Sequence, residues 1–79
     1  MNAKEMLEKL GYNLFENIWH KNLITYIKTP IEVEVEFDLI DKTYSVGKNE
    51  YDYFANYNID IEMHIAITQQ MKELGWLDD

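Results

Sequence analysis

Cysteine is absent from this chain. That excludes a disulfide framework, a thiolate metal site and a cysteine nucleophile, and it suits a reducing compartment. Serine occurs once, as Ser45, with no base beside it in the sequence. The three glycines, Gly11, Gly47 and Gly75, stand too far apart to cradle a phosphate. No apolar run approaches the roughly 20 residues of a membrane-spanning helix. Residues 1–10 are charged and amphipathic and lack the apolar centre of a signal peptide. Positive charge is scarce as well. Seven basic residues face fifteen acidic ones, for a net charge of −8. Such a surface repels phosphate backbones and anionic lipid. The expectation is a protein that touches neither nucleic acid nor membrane directly and works in the cytoplasm.

What is present suits one small globular domain over residues 1–79. Hydrophobic residues make up 47% and charged residues 28%, a composition that folds around a modest core. The most legible stretch is Ile31-Glu32-Val33-Glu34-Val35-Glu36-Phe37-Asp38-Leu39. Its strict apolar–acidic alternation is the period of a β-strand with one buried and one wet face. Ile31, Val33, Val35, Phe37 and Leu39 are expected in the core. Glu32, Glu34, Glu36 and Asp38 are expected to face solvent or a basic partner.

Two helices are expected at the ends. Asn2 with Glu5 forms a capping box, and Ala3, Met6, Leu7 and Leu10 make one apolar stripe. Asp60 caps the second helix, in which Met63, Ala66, Ile67, Gln70, Met71 and Leu74 share a face. Leu10-Gly11-Tyr12 and Leu74-Gly75-Trp76 read as the same stop signal, a glycine at C′ followed by an apolar residue. Between the helices, Leu23 to Lys28 is strand-like and Thr29-Pro30 breaks it. Asp41-Lys42 turns the chain, Lys42 to Val46 returns, Gly47-Lys48-Asn49 reads as a loop, and Tyr51 to Ala55 as an optional fourth strand. Residues 12–22 are the least patterned, with a short strand at Asn13 to Glu16 as the one candidate. The fold expected is α+β, in the order α-β-β-β(-β)-α. An antiparallel meander then carries both terminal helices on one face.

Residues Met1 to Tyr12, Phe37-Asp38-Leu39 with Lys42-Thr43, and Ala66 to Trp76 resemble small uncharacterised proteins encoded by phages and prophages of Gram-positive bacteria. The resemblance rests on capping and core residues. It implies a genetic setting, and hence the cytoplasm of a bacterial host, but no catalytic residues and no cofactor.

Each candidate chemistry has a plain alternative. The acidic row Glu32, Glu34, Glu36 and Asp38 repeats every 6.6–6.8 Å, about twice the strand rise, and a phosphate mimic would use such spacing. Its alternative is a solvated face that charge protects from aggregation. Asp60 and His64 lie one helical turn apart but have no third ligand in reach, so no metal site is expected. No carboxylate pair sits in an environment that would raise one pKa for acid–base work. Tyr51, Tyr53, Phe54 and Tyr57 could stack on bases or grip a peptide, but packing is the better reading, and base stacking would need cations. Ile61 and Ile65 fall on the outer side of the last helix, either as a small apolar contact strip or as residues buried by a loop. The reading is a non-enzymatic, phage-type accessory protein that binds another protein, or a second copy of itself. The alternative is a nucleic-acid-mimicking inhibitor of a host DNA-binding enzyme, of the anti-CRISPR or anti-restriction type. Glu32, Glu34, Glu36, Asp38, Ile61 and Ile65 are the candidate contact residues.

Overall fold

Capping chemistry sets both ends of the chain. In the computed structural model, which describes residues 1–49 and 54–77, helix α1 spans Ala3–Lys9 and helix α2 spans Ile61–Glu73. At α1 the Asn2 side chain accepts from the Glu5 N–H at 2.8 Å, and Glu5 Oε1 accepts from the Asn2 N–H at 3.2 Å. At α2 the Asp60 carboxylate accepts from the Met63 N–H at 2.9 Å. Both helices end in a Schellman motif. The Tyr12 N–H reaches back to Leu7 O and the Gly11 N–H to Glu8 O; the Trp76 N–H reaches Met71 O and the Gly75 N–H reaches Lys72 O. Gly11 and Gly75 have φ of 94° and 76°, the left-handed region that glycine enters without a Cβ clash.

Between the helices run β1 (Asn13–Phe15), β2 (Leu23–Lys28), β3 (Val33–Asp38), β4 (Thr43–Asn49) and β5 (Phe54–Asn56). They form one antiparallel sheet in sequence order, β1-β2-β3-β4-β5. The fold is α+β, with the helices first and last. None of its described helices is long and apolar enough to cross a membrane.

Three boundaries differ from the sequence expectation. The central strand starts at Val33, because residues 29–32 are used in the turn from β2 to β3. Thr29–Pro30 is a cis peptide there and Glu32 has φ of 54°. Ile31 is accordingly exposed and Leu39 only half-buried. Gly47, Lys48 and Asn49, expected as a loop, belong to β4. Gly47 pairs with Glu34 on one side and Asn56 on the other, and two ladders outweigh glycine's local preference for turns. The optional strand expected at Tyr51 to Ala55 falls at Phe54–Asn56, while Tyr51 and Tyr53 lie outside the described residues.

The core fills one side of the sheet. By register, Tyr26, Val35 and Val46 form a row, as do Ile24, Phe37 and Tyr44. Val33, Val35 and Phe37 are fully buried and pack with Leu7, Tyr12 and Tyr26, and with Met63, Ala66 and Ile67 of α2. The Trp76 ring lies 6.3 Å from that of Phe37, so the residue after the α2 stop glycine anchors the helix end in the core. Two polar links tie the layers together. Tyr26 Oη donates to Gln70 Oε1 at 3.0 Å, which satisfies both groups in the interior. The Ala3 N–H donates to Glu73 Oε2 at 2.7 Å, so a carboxylate from the end of α2 satisfies an open N–H at the start of α1.

Candidate interaction surface

Among the described residues no helix packs on the side of the sheet away from α1 and α2, and the composition of that side follows from the register. Phe15, Thr25, Glu36 and Ser45 form one cross-strand row. Asn13, Ile27, Glu34, Gly47 and Asn56 form the next, and Leu23, Asp38 and Thr43 a third. The β1–β2 half of this face is therefore largely apolar, β3 is acidic, and β4 is small and polar. Among the described residues, no strand position on this face is cationic. The two strand lysines, Lys28 and Lys48, register with Val33 on the helix side.

The four carboxylates expected to act as a row do different things. Glu32 sits in the turn, off the strand. Asp38 Oδ1 accepts from the N–H groups of Ile40 and Asp41 at 3.0 and 2.9 Å, which orders the β3–β4 turn. Glu34 Oε1 accepts from Asn49 Nδ2 at 3.1 Å. The Glu36 carboxylate has no hydrogen-bond or ion-pair partner among the described residues. Glu34 and Glu36, expected to be exposed, are half-buried, because strands on both sides cover the stems of their side chains. Thr25, the cross-strand neighbour of Glu36, is only 4% exposed. Its Oγ1 is buried and has no hydrogen-bond partner among the described residues.

Among the described residues, the largest exposed apolar group lies where sequence patterning was weakest. Trp19 is 84% exposed, Ile18 71% and Phe15 53%. The turn that carries them is ordered: Asn17 Oδ1 accepts from the N–H groups of Trp19 and His20 at 3.2 and 3.0 Å, and His20 O accepts from the Leu23 N–H at 3.1 Å. Asn22 O accepts from the Leu39 N–H at 2.9 Å, joining this loop to the β3–β4 turn, where Ile40 is also exposed. The available signal in the sequence was Asn17 directly before an Ile-Trp pair, a turn-forming residue presenting two large apolar ones.

The other expected sites are distributed as follows. Ile61 and Ile65 are exposed on α2. Ile65 joins Met1, Met6 and Leu10 in a groove of about 220 Å³ between the helices, edged by Lys9 and Glu62; Ile61 does not line it. Asp60 is engaged as the α2 cap and His64 is exposed one turn later. Among the described residues no three histidine, aspartate or glutamate side chains group as metal ligands. Of the aromatic run, Tyr57 lines a cleft of about 150 Å³ with Leu10, Tyr12, Lys28, Ile59 and Asp60. Lys28 Nζ stands 5.6 Å from the Tyr12 ring centroid. Burial, then the neighbouring Tyr57 and Asp60, hold the Tyr12 phenol above its ordinary pKa, so it stays a neutral packing group. Burial likewise raises Tyr26, followed by the Glu73 and Glu8 charges.

Comparison with protein-family models, curated proteins and solved structures found no match.

Proposed function

We propose that this is a small acidic, phage-type accessory protein that acts by binding another protein and has no catalytic step of its own. The observation that carries this reading is Trp19, held 84% exposed beside Ile18 on a turn ordered by Asn17. Leaving such a group in water forgoes about 25 cal/mol for every Å² of apolar surface. Tryptophan is also among the residues that most often dominate binding energy when a partner covers them. An ordered turn lowers the entropy lost on docking, so the same residues bind more tightly than on a floppy loop.

Mimicry of nucleic acid has less support. It needs an even row of free charges, and two of its four carboxylates are placed otherwise: Glu32 lies off the strand and Asp38 orders a turn.

The test is affinity capture from bacterial lysate with the wild type and Trp19→Ala side by side. The expected result is a protein retained by the wild type and lost by the variant, whose circular dichroism stays unchanged. Equal capture by Trp19→Ala and Ile18→Ala would show that this turn is not the contact.

A further inference from the structure

We infer that the open sheet face receives an arginine-rich amphipathic segment of a protein partner, its guanidinium groups on Glu34 and Glu36 and its apolar side chains against Phe15, Leu23 and Ile27. This rests on the protein-binding reading above and adds a contact surface separate from the Trp19 turn, with its own partner chemistry. Three observations lead to it. First, the described strand positions of this face are charged with one sign only: the strand lysines are on the other side of the sheet, and the Glu36 carboxylate has no partner among the described residues. A surface built this way selects a cationic partner and repels its own kind. A second copy, also carrying −8, is the wrong occupant.

Second, an apolar strip runs beside the charges. Leu23 and Ile27 are half-buried and Phe15 more than half exposed, in register with Thr25, Asp38 and Glu34 across β2 and β3. A segment with both cations and apolar side chains matches this pairing, and a purely polar polycation does not. Glu34 and Glu36 are about 6.6–6.8 Å apart along β3. Two arginines spaced i,i+4 on a helix, about 6 Å apart along its axis, fit that interval.

Third, Thr25 Oγ1 is a buried hydroxyl with no hydrogen bond, on the same face and directly across from Glu36. The hydroxyl is closed to solvent and has no partner among the described residues, so a docking donor meets it only once a neighbouring side chain shifts aside. A guanidinium presents five N–H donors in a rigid fork, enough to serve a carboxylate and an adjacent hydroxyl together. A lysine ammonium is a point charge on a flexible stem. The orphan hydroxyl therefore favours arginine over lysine.

The experiment uses the intact, isotope-labelled protein and three synthetic helical peptides: one with arginine pairs at i,i+4 and leucines between them, one with lysine for arginine, and one with glutamate for arginine. Amide shifts are followed by NMR during titration. The expected result is binding of the arginine peptide, with shifts concentrated at residues 13–15, 23–27, 34–38 and 43–47, weaker binding of the lysine peptide, and none of the glutamate peptide. Affinity should fall about tenfold or more when salt rises from ~0.05 to ~0.3 M, as the screening length shrinks. Glu34→Gln with Glu36→Gln should weaken binding about tenfold. Thr25→Val should weaken the arginine peptide more than the lysine peptide. Equal binding of the arginine peptide to the double glutamine variant overturns the inference, as do shifts confined to the groove between the helices or a self-associating dimer that uses this face. A wild type that retains a lysate protein but ignores all three peptides overturns this inference alone. A wild type that binds neither brings down the protein-binding reading as well.

Discussion

Along β3, the side chains of Val33, Val35 and Phe37 are fully buried against α1, α2 and the neighbouring strands, whereas Glu34, Glu36 and Asp38, each one residue away, keep partial contact with water. The helix side leaves no described side chain buried without a hydrogen-bond partner. Its polar groups are few, and Tyr26 and Gln70 pair with each other. The open side holds an exposed phenylalanine and, counted among the described residues, a carboxylate and a buried hydroxyl without hydrogen-bond partners. One strand thus separates two tasks by its period of two: the first face supplies stability, and the second carries features that add little to it. Proteins tolerate such locally unfavourable features where another function maintains them.

The comparison breaks most visibly at the centre of the core. Phe37→Ala removes a fully buried ring that meets Tyr44 and Trp76, and the expected loss is about 3–5 kcal/mol in urea denaturation. A smaller loss is expected from Tyr26→Phe, which leaves the Gln70 carboxamide buried without its donor; about 1–3 kcal/mol should go, read the same way.

The two stop glycines refine the picture. Gly11→Ala places a Cβ 3.1 Å from Lys28 Cε as well as in a left-handed backbone, whereas Gly75→Ala meets no atom within 4 Å. Both should destabilise by about 1 kcal/mol from backbone strain alone, with Gly11→Ala the worse, in thermal unfolding followed by circular dichroism. On the other face, Glu36→Gln should change stability by less than about 0.5 kcal/mol. A loss comparable to that of Phe37→Ala would mean that the open face holds the fold together after all.

How much of this was legible in the sequence depends on how far apart the interacting groups lie. The capping box at Asn2 and Glu5 and both Schellman ends were legible because their hydrogen bonds span three to five residues. The faces of β3 were legible because alternation is a local pattern that any half-covered sheet reproduces. Glu73 as a partner of the Ala3 N–H was not legible, since 70 residues separate them and only the antiparallel packing of the helices brings them together. Gly47 was misread because its strand pairing with Glu34 and Asn56 is non-local. The turn at Ile31 and Glu32 was misread because alternation continues through those residues while the backbone does not. The candidate surface was half legible. Its acidic half stood out, whereas Phe15, Ile18 and Trp19 follow no period, and their exposure depends on the Asn17 turn. Nothing in the sequence marked Thr25, because an unsatisfied hydroxyl is a property of the assembled sheet.

Thr25 is also where the division of tasks is tested most directly, through the stability of Thr25→Val in urea denaturation. If the open face is built for a partner rather than for the fold, replacing the orphan hydroxyl with a methyl removes a desolvation penalty. Stability should then rise by about 1 kcal/mol, with the β-branched shape and strand preference kept. A fall in stability of that size would show that the hydroxyl has a partner within the folded chain, and the open face would then be part of what holds the protein together.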